Sequence, residues 1–126
     1  MKLIFIALFA LTFQAHAGCA ISEETQQDYN QKYRDDISIE TTLRDSSYYV
    51  VTSLPTAINN QKFKAVWLVA DSIDEPSFIA PLETFQEGDM FLAWYEIDAG
   101  LIRRHFVAAT FGEDCGTSVI KEVFYK

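Results

Sequence analysis

At 126 residues, with 18 acidic side chains against 10 basic ones and a formal charge of −8, the chain has material for one ordinary domain rather than two. Such a charge repels phosphate backbones, and the paired basic residues, Lys62 with Lys64 and Arg103 with Arg104, are too few to make a nucleic-acid stripe. Nucleic acid and anionic membrane surfaces are therefore poor partners, and a cationic protein is the partner that electrostatic steering favours.

The N-terminus has the parts of a cleavable signal peptide in the right order: Lys2, an apolar run over residues 3–13, then Ala15-His16-Ala17, the small-x-small pattern of signal peptidase. The run is too short to span a bilayer, and no second stretch approaches that length. Residues 1–17 are thus expected to be removed and residues 18–126 to form a single, mostly β domain, periplasmic or secreted. Lys2 leaves with the signal, so the formal charge of the mature chain falls to −9.

Cys19 and Cys115 are the two cysteines, and an even count in an oxidising compartment points to a disulfide between them. Closing so long a loop stabilises a domain by about 4 to 5 kcal/mol in the chain-entropy model. A rival reading exists for Cys19. Ala17-Gly18-Cys19 is similar to the end of a bacterial lipobox, which would place a lipid anchor on Cys19, although His16 stands where that motif wants an aliphatic residue.

Residues 21–36 are polar, with Ser22 placed to cap a helix, Glu23 and Glu24 in its first turn, and Tyr29 and Tyr33 four residues apart. The reading is a short surface helix, with a coil as its alternative; its thin apolar stripe would need a docking surface. After Asp36 the period becomes twofold. Ile37, Ile39, Thr41 and Leu43 alternate with Ser38, Glu40, Thr42 and Arg44, which predicts a half-buried strand.

Arg44-Asp45-Ser46-Ser47 supplies turn chemistry, and residues 48–54 form a β-branched and aromatic run that Pro55 stops, so the two strands read as a hairpin. Asn59 and Asn60 mark the next loop. Residues 63–70, nearly all apolar around Trp67, read as a central strand. A turn follows to Pro76. Residues 78–85 form a weaker strand interrupted by Pro81, which belongs at an edge or bulge.

Residues 90–97 give a strong strand around Trp94, and Asp98-Ala99-Gly100 connects it to residues 102–111, with antiparallel pairing expected between the two. A turn over residues 112–116 and a last strand over residues 118–125 complete the chain. About seven strands with turn signals between them predict an all-β fold, an antiparallel β-sandwich or small barrel preceded by a short helix or coil. The alternative is an α+β domain with that helix packed on a curved antiparallel sheet.

The residues offer little for catalysis. His105 alone survives removal of the signal, no serine lies in a G-x-S-x-G setting, and Cys115 sits between Asp114 and Gly116, where acid raises rather than lowers a thiol pKa. One histidine cannot build a histidine-rich zinc site, and Asp71, Asp74 and Glu75 lack the ligand alternation and glycine of a calcium loop. No metal or cofactor is expected, and His105 reads as a surface or strand-end residue.

Aromatic residues are the remaining feature. Alternation sends neighbours to opposite faces, so Tyr48 and Tyr49 cannot both point inward, nor can Trp94 and Tyr95. With Trp67 and Trp94 taken as the cores of their strands, Tyr49 and Tyr95 become the candidate binding residues. The function this predicts is a small exported acidic binding module without a catalytic site, in the form of an inhibitor of, or binder to, a cationic protein. Two alternatives stand beside it: a hydrolytic or lytic enzyme with a carboxylate site, and a structural component of an envelope or surface assembly that uses the strand edge near residues 37–43.

Overall fold

A computed structural model describes residues 21–113 and 116–126. The expected signal peptide, Cys19 and Cys115, and with them the disulfide and lipid-anchor readings, lie outside the described residues.

The helix α1 (Glu23–Lys32) starts where the capping chemistry places it: the Ser22 hydroxyl accepts from the Thr25 N–H at 3.1 Å, and Glu23 and Glu24 occupy the first turn. It buries no residue completely, and a single 3-10 turn, Arg34–Asp36, leads from it to the strands. Among the described residues nine strands follow: β1 (Ser38–Arg44), β2 (Ser47–Pro55), β3 (Ala57–Ile58), β4 (Gln61–Ala70), β5 (Phe78–Pro81), β6 (Thr84–Glu87), β7 (Met90–Asp98), β8 (His105–Phe111) and β9 (Thr117–Val123).

They form two antiparallel sheets that face each other without closing into a barrel. The first sheet has the order β1-β2-β7-β6. In the second, β4, β8 and β9 run side by side, and β3 and β5 both pair with β4. The β3–β4 turn is carried by Asn59 and Asn60, both in the left-handed region at φ 55° and 60°, the pairing a type I′ hairpin demands. Pro81 ends the flanking strand β5, where a missing N–H costs no ladder bond.

The all-β reading therefore holds: two antiparallel sheets dominate, and the one helix, short, docks on β9. The short strand β3 is not in the expected strand map, and two further details differ from it. β7 and β8 do not pair: β7 lies between β2 and β6, whereas β8 lies between β4 and β9. Their connection is no tight hairpin turn but a 3-10 turn, Ala99–Leu101, plus an extended stretch, long enough to carry the chain to the other sheet. Residues 78–85 likewise split, because Leu82, whose N–H bonds the Val66 carbonyl at 2.9 Å, turns the chain from one sheet to the other between β5 and β6.

Between the sheets lies one core. Val50, Leu54 and Ala93 come from the first sheet, Val66, Val107, Ala109, Phe111, Val119 and Val123 from the second, and Ile37 fills the space ahead of β1. Burying such side chains contributes about 1.5 to 3 kcal/mol each, so the sandwich is held by apolar area distributed along the long strands, with β1 adding the partly buried Ile39.

Helix α1 is attached in another way. Its side chains complete the free edge of β9: the Gln26 amide donates to the Ser118 carbonyl at 2.9 Å, the Ser118 hydroxyl donates to Gln26 Oε1 at 2.6 Å, and the Ile120 N–H donates to Asn30 Oδ1 at 2.8 Å. Lys121 then donates to the carbonyls of Arg34 and Ile37. A row of helix amides thus takes the place of a neighbouring strand, which protects an edge that would otherwise be open to pairing.

Candidate functional site

Strand register decides what each sheet shows to solvent. In β2 the buried residues are Val50, Thr52 and Leu54, so Tyr49, Val51 and Ser53 point outward. Cross-strand pairing extends that face in rows: Thr42, Tyr49 and Glu96; Glu40, Val51 and Trp94; Ser38, Ser53, Leu92 and Phe85. The result is an apolar stripe on the outer face of the first sheet. Trp94 is 55% exposed and Phe85 50%, with Val51 and Met90 exposed beside them.

Tyr49 lies on this face, as the alternation argument placed it. The Arg44 guanidinium sits 5.2 Å from the centre of its ring. Glu96 is its cross-strand neighbour, and the negative charge of that carboxylate holds the phenol above its ordinary pKa. Tyr95 does not lie there. It is directed inward against the core, opposite Val50, while Trp94, taken from the sequence as a strand core, is the exposed one. The neighbours of a strand alternate whichever is buried, so bulk could not decide the phase; Ala93, fully buried, sets it, because it can approach the opposite sheet closely.

Inward from Tyr95 runs a polar chain that the sequence reading missed. The Tyr95 and Tyr125 hydroxyls are 2.6 Å apart, and Tyr125 Oη is 2.7 Å from His105 Nδ1. His105 is no surface residue: it opens β8 but is only 3% exposed. Its ring is bonded through Nδ1 to the Tyr125 hydroxyl inside the sandwich. Burial, seconded by the Arg103 charge, pushes its pKa below the usual histidine value, against a smaller opposing pull from Asp71. Burial also raises Tyr95 and Tyr125, and Tyr95 further by its bond to Tyr125.

A signal for that burial was present in the sequence, since the same-face partners of His105 are Val107, Ala109 and Phe111. His105 Nδ1 is engaged by Tyr125 within the protein. The network ties the C-terminal Tyr125 to both sheets, with the Tyr48 ring edge-on to it at 5.2 Å.

The loop carboxylates have local duties. Asp71 accepts from Ser77 and pairs with Arg103 at 2.7 Å, bonds that keep its pKa low, and the Ser72 hydroxyl accepts from the N–H groups of Asp74 and Glu75. Among the described residues no group of three or more His, Cys, Asp or Glu side chains is placed to hold a metal ion, and no helix is long and apolar enough to cross a membrane. A groove of about 520 Å³ runs between α1 and the loop after β4, floored by Phe106 and Ile120. A second, of about 400 Å³, separates β1 from the C-terminal residues Phe124 and Lys126.

Set against models of known protein families and against curated proteins, the chain matches none.

Proposed function

We propose that this protein is an exported, acidic binding module whose activity is recognition rather than catalysis, and that it engages a cationic protein through the outer face of its first sheet. The observation that carries the reading is the contiguous exposed stripe of Val51, Trp94, Phe85 and Met90. Soluble proteins rarely leave connected apolar patches of this kind bare, and aromatic residues on rigid strands present contact area at little entropic cost. The patch lies on paired strands rather than on a loop, so its geometry is set before a partner arrives. The overall negative charge and the signal-like N-terminus support partner sign and compartment.

Affinity capture from periplasmic or culture extract, with the wild-type chain and a Trp94→Ala, Phe85→Ala double variant as baits, tests this. Wild type should retain a basic partner at low salt and release it as salt rises, and the double variant should retain little at any salt. Equal capture by both baits would remove the face from consideration.

A further inference from the structure

The face named above also specifies what kind of group it takes, and the inference that follows rests on that reading. Arg44 is the only basic residue in the four strands of the first sheet. The outward positions carry Glu40, Glu87, Glu96 and Asp98 besides the aromatic and aliphatic side chains. Around Tyr49 this mixture is already complete: the Arg44 guanidinium stands over its ring, and Glu96 is its cross-strand neighbour on the same face. Cation, aromatic face and carboxylate come from three adjacent strands.

The next row repeats the arrangement without its cation. Trp94 lies on β7 two residues before Glu96, on the same face, and Val51 separates it from Glu40 on β1. Strand spacing puts Glu40 about 10 Å from Trp94 across the sheet and Glu96 about 7 Å away along it. The indole is the strongest cation-binding ring among the side chains, it is more than half exposed, and β1, β2, β6 and β7 bring no Lys or Arg to it. A second copy of this chain would set carboxylates against carboxylates, so charge favours an occupant of the opposite sign.

We infer that Trp94, with Glu40 and Glu96 at its flanks, accepts an arginine side chain from an extended basic segment of the partner. A planar guanidinium stacks on the indole while its edge N–H groups reach a carboxylate, a combination that a lysine ammonium does not match. Val51, Leu92 and Phe85 then receive the aliphatic parts of the same segment.

The test uses the mature protein, labelled for NMR, and an octa-arginine peptide as the probe. The two indole N–H signals are assigned by the one lost in Trp94→Phe. The Trp94 signal should shift and saturate at low salt while that of Trp67, in the other sheet, stays in place; octa-lysine should bind several-fold more weakly and octa-glutamate not at all. Glu40→Gln and Glu96→Gln should each weaken binding about two- to fourfold. Trp94→Leu, which keeps apolar area but loses the ring face, should bind about fivefold more weakly than Trp94→Phe. An unmoved Trp94 signal, or equal binding by the Leu and Phe variants, would overturn the inference. If the natural partner is still lost from the double variant in the capture experiment, the binding face survives that result and only the arginine assignment falls. If capture is unaffected as well, both fall.

Discussion

The side-chain oxygen of Asn30 in α1 accepts a hydrogen bond of 2.8 Å from the main-chain N–H of Ile120, filling a position on β9 that a neighbouring strand would otherwise fill. The helix is held on its sandwich by amide groups acting as a surrogate strand. Its sequence is too polar to have docked by an apolar stripe, and this is how it docks nonetheless.

Asn30→Ala should therefore detach more than one side chain. Loss of this bond and of the Gln26–Asn30 contact is expected to cost about 1 to 2 kcal/mol. Hydrogen exchange at the Ile120 amide should accelerate ahead of the rest of β9, and a concentration-dependent rise in apparent mass would report pairing through the uncovered edge. An unchanged exchange rate at Ile120 would contradict the edge-completion role.

Tyr125→Phe removes the hydroxyl that links Tyr95 to His105. Both partners are left in poorly hydrated surroundings, so the expected loss is about 1 to 3 kcal/mol in urea unfolding. The C-terminal residues should exchange faster in the variant, whereas Trp94 fluorescence should hardly change.

Acid should weaken the fold through His105. Its folded pKa lies below the unfolded value of about 6.5, so between the two the unfolded chain binds the extra proton and stability falls as pH drops through that window. Asp71, held low by its hydrogen bonds from Ser77 and Arg103, and Glu122, held low by Arg104, contribute in the same direction only near and below the ordinary carboxylate range. Urea midpoints at pH 7.5 and 5.5 should differ for the wild type, and His105→Gln, whatever its own stability, should show a flatter dependence over that interval.

Thr52 lies in the core at 1% exposure, and its hydroxyl has no hydrogen-bond partner among the described residues. Thr52→Val keeps the shape and removes the unpaired polar atom. A gain of about 1 kcal/mol in unfolding free energy is expected, and a loss would mean that the hydroxyl is satisfied in solution.

Trp94 and Tyr95 separate binding from stability. Trp94→Ala should leave the melting temperature almost unchanged, since the indole is mostly in solvent. Tyr95→Ala removes a core-facing ring and breaks the hydroxyl chain, and should cost about 3 kcal/mol. Thermal unfolding of the two variants side by side gives the comparison, and the reverse order would restore Trp94 to the core.

Local chemistry determined a good deal of this. Ser22 starts a helix, Asn59 and Asn60 turn a hairpin and Pro81 stops a strand because each acts on backbone atoms within a few residues. Period-two alternation marked the strands for the same reason. What only the tertiary structure decided is non-local. Trp94 and Tyr95 are both able to fill a core, and which does depends on the sheet opposite, where small Ala93 comes into contact. Whether β7 pairs with β8 depends on which edge is free when the chain arrives. His105 meets Tyr125, twenty residues on, because β8 and β9 pair in that register, and their hydrogen bond makes burial of an imidazole tolerable.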